Sequence, residues 1–246
     1  MTVRYRIRWT KQDRARFLSA RDLTSVWERA LRRADLPIAY SEGFTPHAKV
    51  SFPDALPVGH ESTGEYAELT FVAPIDPEPD LARLSTHLPD GMDITMYVEV
   101  PSGAPKLARM LKATLWEIQW PPVDVRELTN VLSERINAVL AQEHVDVVRR
   151  RPDGDRTVDV RPAVLAMTAF ARHRQGDACT VIRAVLRNDG PTVRPVDLHA
   201  ALSHEDIAQP AAICRVAQGE FEPDGLREAL SGKVELMVPA VDAEAA

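Results

Sequence analysis

Two cysteines, Cys179 and Cys214, are all the chain has, and they stand far apart with no Cys-x-x-Cys pair. That excludes a disulfide framework and a cysteine-rich zinc site. No apolar run approaches the ~20 residues a membrane-spanning helix needs. No apolar leader follows Met1 either, so the expected compartment is the cytoplasm, with no membrane partner. The phosphate-binding GxxxxGK[ST], the dinucleotide GxGxxG, HExxH and GxSxG are all missing, which removes the nucleotide, zinc-protease and serine-hydrolase classes that carry them. His60-Glu61 and Glu65 offer a superficial metal pattern. A catalytic zinc takes three ligands and an open position, and no third ligand stands nearby, so no metal is expected.

What is present is an ordinary globular composition, 45% apolar and 27% charged over 246 residues, long enough for one large domain or two. Charge is unevenly placed. The net charge is −6, yet the first fifty residues hold eleven Lys/Arg against five Asp/Glu, a local +6 against −12 over the rest. A chain-wide nucleic-acid coat is thereby excluded, while a local anionic partner is suggested.

Val3, Tyr5, Ile7 and Trp9 alternate with Arg4, Arg6 and Arg8, the period of a strand with one apolar face and a ladder of guanidinium groups. Asp22 is a candidate N-cap for a helix whose apolar stripe is Leu23, Val26, Trp27, Ala30, Leu31 and Ala34. Its polar face carries Glu28, Arg29, Arg32 and Arg33, and Asp35-Leu36-Pro37 ends it. A shaped loop at Tyr40–His47 leads to a short strand at Lys49–Phe52. Glu65–Val72 alternates, Leu81–Leu88 reads as a helix, and Ile94–Val100 as a strand. The order is βαββαβ, the ferredoxin-like plan, with helices on one side of an antiparallel sheet.

Pro101–Pro105 reads as a domain edge. Beyond it come a strand at Leu115–Trp120, a helix at Val125–Leu140, and a hairpin of Val145–Arg149 and Thr157–Val160 about Pro152-Asp153-Gly154. A second hairpin (Val164–Phe170, Thr180–Leu186), a helix at Pro195–Leu202 and a strand at Ile213–Val216 follow. The expectation is an α+β protein of two ferredoxin-like (βαββαβ) units with antiparallel sheets, residues 1–101 and 106–230, the second decorated, then a tail at 231–246. A single larger α+β domain is the alternative.

The loop from Tyr40 to Ser51 is the best candidate site. Gly43 supplies a backbone conformation other residues resist, Pro46 fixes the chain before His47, which titrates near neutrality, and Lys49 is a cation two residues on. Such a loop could hold an anion or place a general acid; equally, Phe44 could plug the core, with Gly43 and Pro46 shaping a turn. The ladder Arg4, Arg6, Arg8 also has two readings. With the first strand central it would face Tyr66, Glu68, Tyr97 and Glu99, as cross-strand ion pairs or as a platform for a nucleic-acid backbone with tyrosines stacking on bases. Arg14, Arg16, Arg21, Arg29, Arg32 and Arg33 have fewer carboxylates near them in sequence and are the better phosphate-binding candidates.

Arg16–Leu23, Trp27–Ala34, Ala39–Ser51 and Leu56–Glu61 together closely resemble the radical-SAM-linked family. This is a bacterial domain of unknown function, often fused to the C-terminus of a radical S-adenosylmethionine protein and sometimes encoded alone. The likeness is dense over about residues 1–70 and continues thinly through Val158–Pro162, Arg194-Pro195 and Cys214-Arg215. Where the family commonly reads Ser-His-x-Asp this chain has Ser19-Ala20-Arg21-Asp22, which removes any role of that histidine. Ala48 replaces the second proline of a frequent Pro-His-Pro-Lys. The resemblance implies a radical-SAM partner acting in trans. S-adenosylmethionine and the iron–sulfur cluster are expected only in that partner, because such a cluster needs three closely spaced thiolates; no cofactor is expected on this chain. The family's genes lie near those of ribonucleases and ribosomal proteins, which implies an RNA context.

The favoured function is a non-catalytic adaptor that binds structured RNA or the substrate of a radical-SAM enzyme in RNA or ribosome modification. Arg16, Arg29, Arg32, Arg33 and Lys49 would contact phosphates. Tyr40, Ser41, Gly43, Phe44 and His47 would shape a pocket, with Ser19 and Asp22 capping the helix and ordering the loop. The alternatives are a metal-independent endoribonuclease using His47 as general acid–base and a protein-only interaction scaffold.

Overall fold

The structure is a computed structural model, and it describes residues 2–152, 154–174, 177–203 and 207–239. The chain divides between Met110 and Leu111 into two compact units. Both mix helices with antiparallel strands, so the protein is α+β.

In the first unit β1 (Val3–Lys11) is followed by α1 (Ala20–Arg33), β2 (Val50–Ser51), β3 (Glu61–Phe71), α2 (Pro77–Ser85) and β4 (Ile94–Glu99). β1 lies between β3 and β4, and β2 pairs with β3; every pairing is antiparallel. Period-two alternation sends Tyr5, Ile7 and Trp9 to the helix side, where they pack with Leu23, Val26, Trp27, Ala30 and Leu31 of α1 and with Leu81 and Leu84 of α2. Burying each Val, Leu or Ile among them contributes roughly 1.5–3 kcal/mol. Trp9 and Trp27 meet edge to face at 5.4 Å, and Phe52 closes the cluster at 6.2 Å from each, the arrangement that ring quadrupoles favour.

The second unit begins with β5 (Ala113–Gln119) and α3 (Val125–Leu140). It continues with the hairpin β6 (Asp146–Arg149) and β7 (Arg156–Asp159), the long pair β8 (Val164–Arg174) and β9 (Asp177–Arg187), and α4 (Pro195–Leu202). It ends with β10 (Ala212–Glu222), β11 (Gly225–Glu228) and β12 (Val234–Leu236). β5 lies between β10 and β9, and β8 pairs with β9, again all antiparallel. Setting the β6–β7 hairpin aside, the first strand is central, flanked by the fourth and third, with the second outside the third. This is the order of the first unit repeated. Between them the units contain four α-helices among the described residues.

Two expectations need correction, and a choice between two readings is decided. Residues 231–239 are not tail: Val234–Leu236 is a strand paired to β11, while residues 240–246 lie outside the described residues, as does Asp153 of the hairpin turn. The helix cap is Ser19, not Asp22. Ser19 Oγ accepts the Asp22 N–H, and the Asp22 carboxylate accepts the Ser19 N–H at 2.9 Å, a reciprocal capping box that satisfies two orphan donors. Finally, of the two readings of the arginine ladder, the structure shows the cross-strand ion pairs and not the platform. Glu68 takes Arg4 at 2.9 Å and Arg6 at 3.0 Å. Arg6, buried, also donates to the Pro105 carbonyl and faces Met110 Sδ, while Arg8 donates to the Thr63 carbonyl. The register sets Arg6 and Arg8 opposite Val98 and Met96, so Tyr97 and Glu99 lie on the other face, and Tyr66 is buried.

Candidate functional site

Of the eleven basic side chains in the first fifty residues, five are engaged. Besides the ladder, Lys11 is buried and donates to the Leu18 carbonyl at 2.8 Å. Arg16 pairs with Glu61 at 2.7 Å and lies 4.9 Å over the Phe17 ring. That removes Arg16 from the free phosphate-binding set and leaves Phe17 exposed. The other six, Arg14, Arg21, Arg29, Arg32, Arg33 and Lys49, are exposed and make no ion pair among the described residues.

Three of the six cluster on α1. Arg29 is three residues from Arg32 and four from Arg33, so they are neighbours on the helix surface, with Cβ atoms about 5–6 Å apart. Like charges at that spacing repel, by roughly 0.2–0.5 kcal/mol per pair. Arg32 and Arg33 stand in the last turn, where the helix dipole partly offsets that cost. A shallow groove of about 430 Å³ runs along the same face, lined by Leu18, Asp22, Ser25, Glu28, Arg29 and Arg32. The Ser19 hydroxyl and backbone hold the Asp22 carboxyl below its usual range, so an anion is kept at the helix start and the cations stand at its end.

The Tyr40–Ser51 loop is a miniature hairpin. Tyr40 bridges Ala48, Ser41 N–H donates to the His47 carbonyl at 2.8 Å, and His47 N–H donates to Ser41 Oγ at 3.0 Å. Ala39 N–H reaches the Thr70 carbonyl, which ties the base to β3. At the tip Gly43 has φ 129°, a conformation that side chains resist. His47 Nδ1 lies 2.9 Å from Glu28 Oε1, and this contact fastens the hairpin to α1.

The structure therefore brings His47 to the arginine stripe through Glu28, a partner that sequence reasoning missed because nineteen residues separate the two. Ser19, Asp22 and Ser41 hold the scaffold. Tyr40, Phe44 and His47 do not close a pocket: all three are exposed, and the Phe44 ring stands wholly in solvent at the hairpin tip rather than in the core. His60, Glu61 and Glu65 form no metal cluster either. Glu61 is taken by Arg16, and no group of three His, Cys, Asp or Glu gathers among the described residues. Chemically, the surface offers guanidinium donors and an exposed aromatic face that make no ion pair or ring stack among the described residues.

A two-unit α+β protein with one basic helix is the class these features define. The chain belongs to the family of uncharacterized proteins conserved in bacteria, DUF2344, whose model matches residues 4–195. No curated protein matches it. A chain of a Cbf5–Nop10–Gar1 complex superposes with a TM-score of 0.40 at 13% identity, over 89% of this chain and 50% of that one, so this chain spans about half its length. An unknown protein from Galdieria sulphuraria superposes with a TM-score of 0.25 at 12% identity, over 76% and 82%. At these scores neither likeness bears on what this chain does.

Proposed function

We propose that the protein is a non-catalytic adaptor that binds structured RNA through α1 and the adjoining hairpin, for a radical-SAM enzyme acting in trans. We also read each unit as ferredoxin-like, because both repeat that plan's strand order, fourth–first–third–second. The observation that carries the RNA reading is the trio Arg29, Arg32 and Arg33, without ion pairs among the described residues, on the helix to which His47 and Glu28 fasten the hairpin that bears the solvent-exposed Phe44. Guanidinium groups pair with phosphate oxygens in forks, and a free aromatic face stacks on any unpaired base. The radical-SAM partner is supported by the family resemblance of residues 1–70. S-adenosylmethionine and the cluster would belong to that partner, since two cysteines cannot supply three thiolates.

The test is fluorescence anisotropy with a labelled stem–loop RNA carrying a single-stranded tail, using the full chain. Changing Arg29, Arg32 and Arg33 together to Ala is expected to weaken binding at least tenfold. Phe44→Ala should cost about 1–3 kcal/mol, the value of one base–aromatic stack. Equal binding by the triple variant and wild type overturns the proposal, as does an absence of binding by wild type.

A further inference from the structure

The second unit contains a cleft that the adaptor reading does not use. It measures about 730 Å³, and its walls include Arg149, Arg151, Arg156, Thr157, Arg187 and Asp189. Its basic residues come from separate places in the chain: the end of β6, the turn after it, the start of β7 and the end of β9. Two segments that carry the thin family resemblance beyond residue 70 meet here. Asp159 and Pro162 line the cleft, and Arg194, the N-cap of α4, reaches it through Asp197, which accepts its N–H and pairs with Arg149.

The charges in the cleft are not all alike. Arg149 is spent. Its Nε and Nη2 reach the two oxygens of Asp197 at 3.1 and 2.5 Å, and Nη2 also donates to the Thr192 carbonyl at 2.9 Å. Asp197, buried, further accepts the Arg194 N–H at 2.7 Å, so the pair acts as a fixed wall. Asp159 is spent as well, on the N–H groups of Val145 and Arg161 and on His144 at 2.7 Å. Among the described residues Arg187 has only Asp189, 3.8 Å away and largely in solvent. Arg151 and Arg156 are exposed and make no ion pair among the described residues.

The hairpin register sharpens the point. Arg156 stands directly opposite Arg149 across β6–β7, and like charges directly opposite are destabilising. The fold compensates one member of that pair with Asp197 and leaves the other bare, beside two further arginines. Three guanidinium groups then face a walled volume with one loose carboxylate among them. We infer that this cleft is a second, separate anion site that takes phosphate groups, held by Arg151, Arg156 and Arg187 against the rigid Arg149–Asp197 wall. A planar guanidinium fork matches phosphate geometry, and Thr157 adds a hydroxyl donor.

Phosphate can arrive on a small molecule or at the end of a nucleic-acid strand, and the experiment separates the two. Arginine Nε–H resonances of the full-length protein are followed while inorganic pyrophosphate, then a 5′-phosphorylated tetranucleotide, then the same tetranucleotide without its terminal phosphate, is titrated. Saturable shifts at Arg151, Arg156 and Arg187 are expected with a phosphate-terminated probe, at least tenfold weaker in R151A/R156A. Both substitutions lie on exposed side chains, so the fold should be retained; an unchanged far-UV spectrum and melting temperature check this. The Arg29, Arg32, Arg33 triple variant should bind these probes as wild type does, so failure of the adaptor reading leaves this result intact, and the reverse. Response to pyrophosphate alone assigns a small-molecule source; response to the phosphorylated tetranucleotide assigns a strand end. No saturable shift with any probe, or binding unchanged in R151A/R156A, overturns the inference.

Discussion

Glu117, at the centre of β5, shows how a charge can be legible in sequence and its fate not. Arg172 meets its two oxygens at 2.7 Å each, and Arg183 adds a bond at 2.8 Å from Nε. Burial alone would raise the carboxyl's pKa; the hydrogen bonds and charges of the two arginines outweigh it and hold the group below the usual range. A depressed folded-state pKa means that the stabilisation is present above the unfolded value and is lost as pH falls through the folded one. Glu117→Gln should cost about 3 kcal/mol at neutral pH, because two nearly buried guanidinium groups lose their counter-charge. Urea denaturation of wild type and variant checks both points: the gap should close as the solution is acidified below the ordinary carboxylate range, and a constant gap would contradict the assignment. The same limit applies to Arg4, Arg6 and Arg8. Alternation told which face they occupy, and a central first strand already named Glu68 among the facing residues; the Pro105 carbonyl comes from a distant part of the chain, and no local pattern announces it.

Elements were more legible than residues wherever a helix stripe and its boundary signals agreed. The expected bounds of α3 and α4 coincide with the observed ones, and β8–β9 only lengthen. α2 begins earlier than expected, at Pro77, because proline suits the first helical position and Asp76 precedes it. β11 and β12 were missed for a physical reason. They are short and depend on close backbone approach rather than on an apolar pattern. A Cβ on Gly219 would overlap the Arg227 carbonyl, and one on Gly225 the Glu235 carbonyl. Gly219→Ala should therefore prise β11 from β10, at about 1–3 kcal/mol as for other overpacking. Hydrogen exchange reads it directly: amides of residues 225–236 should lose protection while β8 and β9 keep theirs. Retained protection at 225–236 would show that the backbone yields cheaply. Strand order also settles the cysteines. Cys179 on β9 and Cys214 on β10 are separated by β5, two strand spacings of about 4.8 Å, and by several residues along the strands. That exceeds disulfide reach.

Over the whole molecule the charge imbalance sets what kind of binding is attainable. The first fifty residues carry +6 and the rest −12, so a polyanion meets net repulsion over most of the chain and is attracted within a Debye length, about 8–10 Å, of local basic clusters such as the basic helix. Five of those eleven cations are engaged by Glu68, Glu61 or backbone carbonyls, which leaves Arg14, Arg21, Arg29, Arg32, Arg33 and Lys49 to meet phosphates. Each phosphate neutralised releases condensed counterion, giving a slope of log affinity on log salt of about −0.7 per contact for single strands and about −0.9 for duplex. Six contacts set a ceiling of about −4 to −5. Eleven would bring it to about −8 to −10, and that difference separates an internally neutralised ladder from an open one. Affinity for the stem–loop RNA, measured by anisotropy from 50 to 300 mM salt, should therefore stay at or below that ceiling, and the Arg29, Arg32, Arg33 triple variant should flatten the slope by about 2–3. A wild-type slope near −8 would mean that Arg4, Arg6, Arg8, Lys11 and Arg16 release their partners on binding. A slope near zero would mean that the positive charge at the start of the chain serves the fold alone.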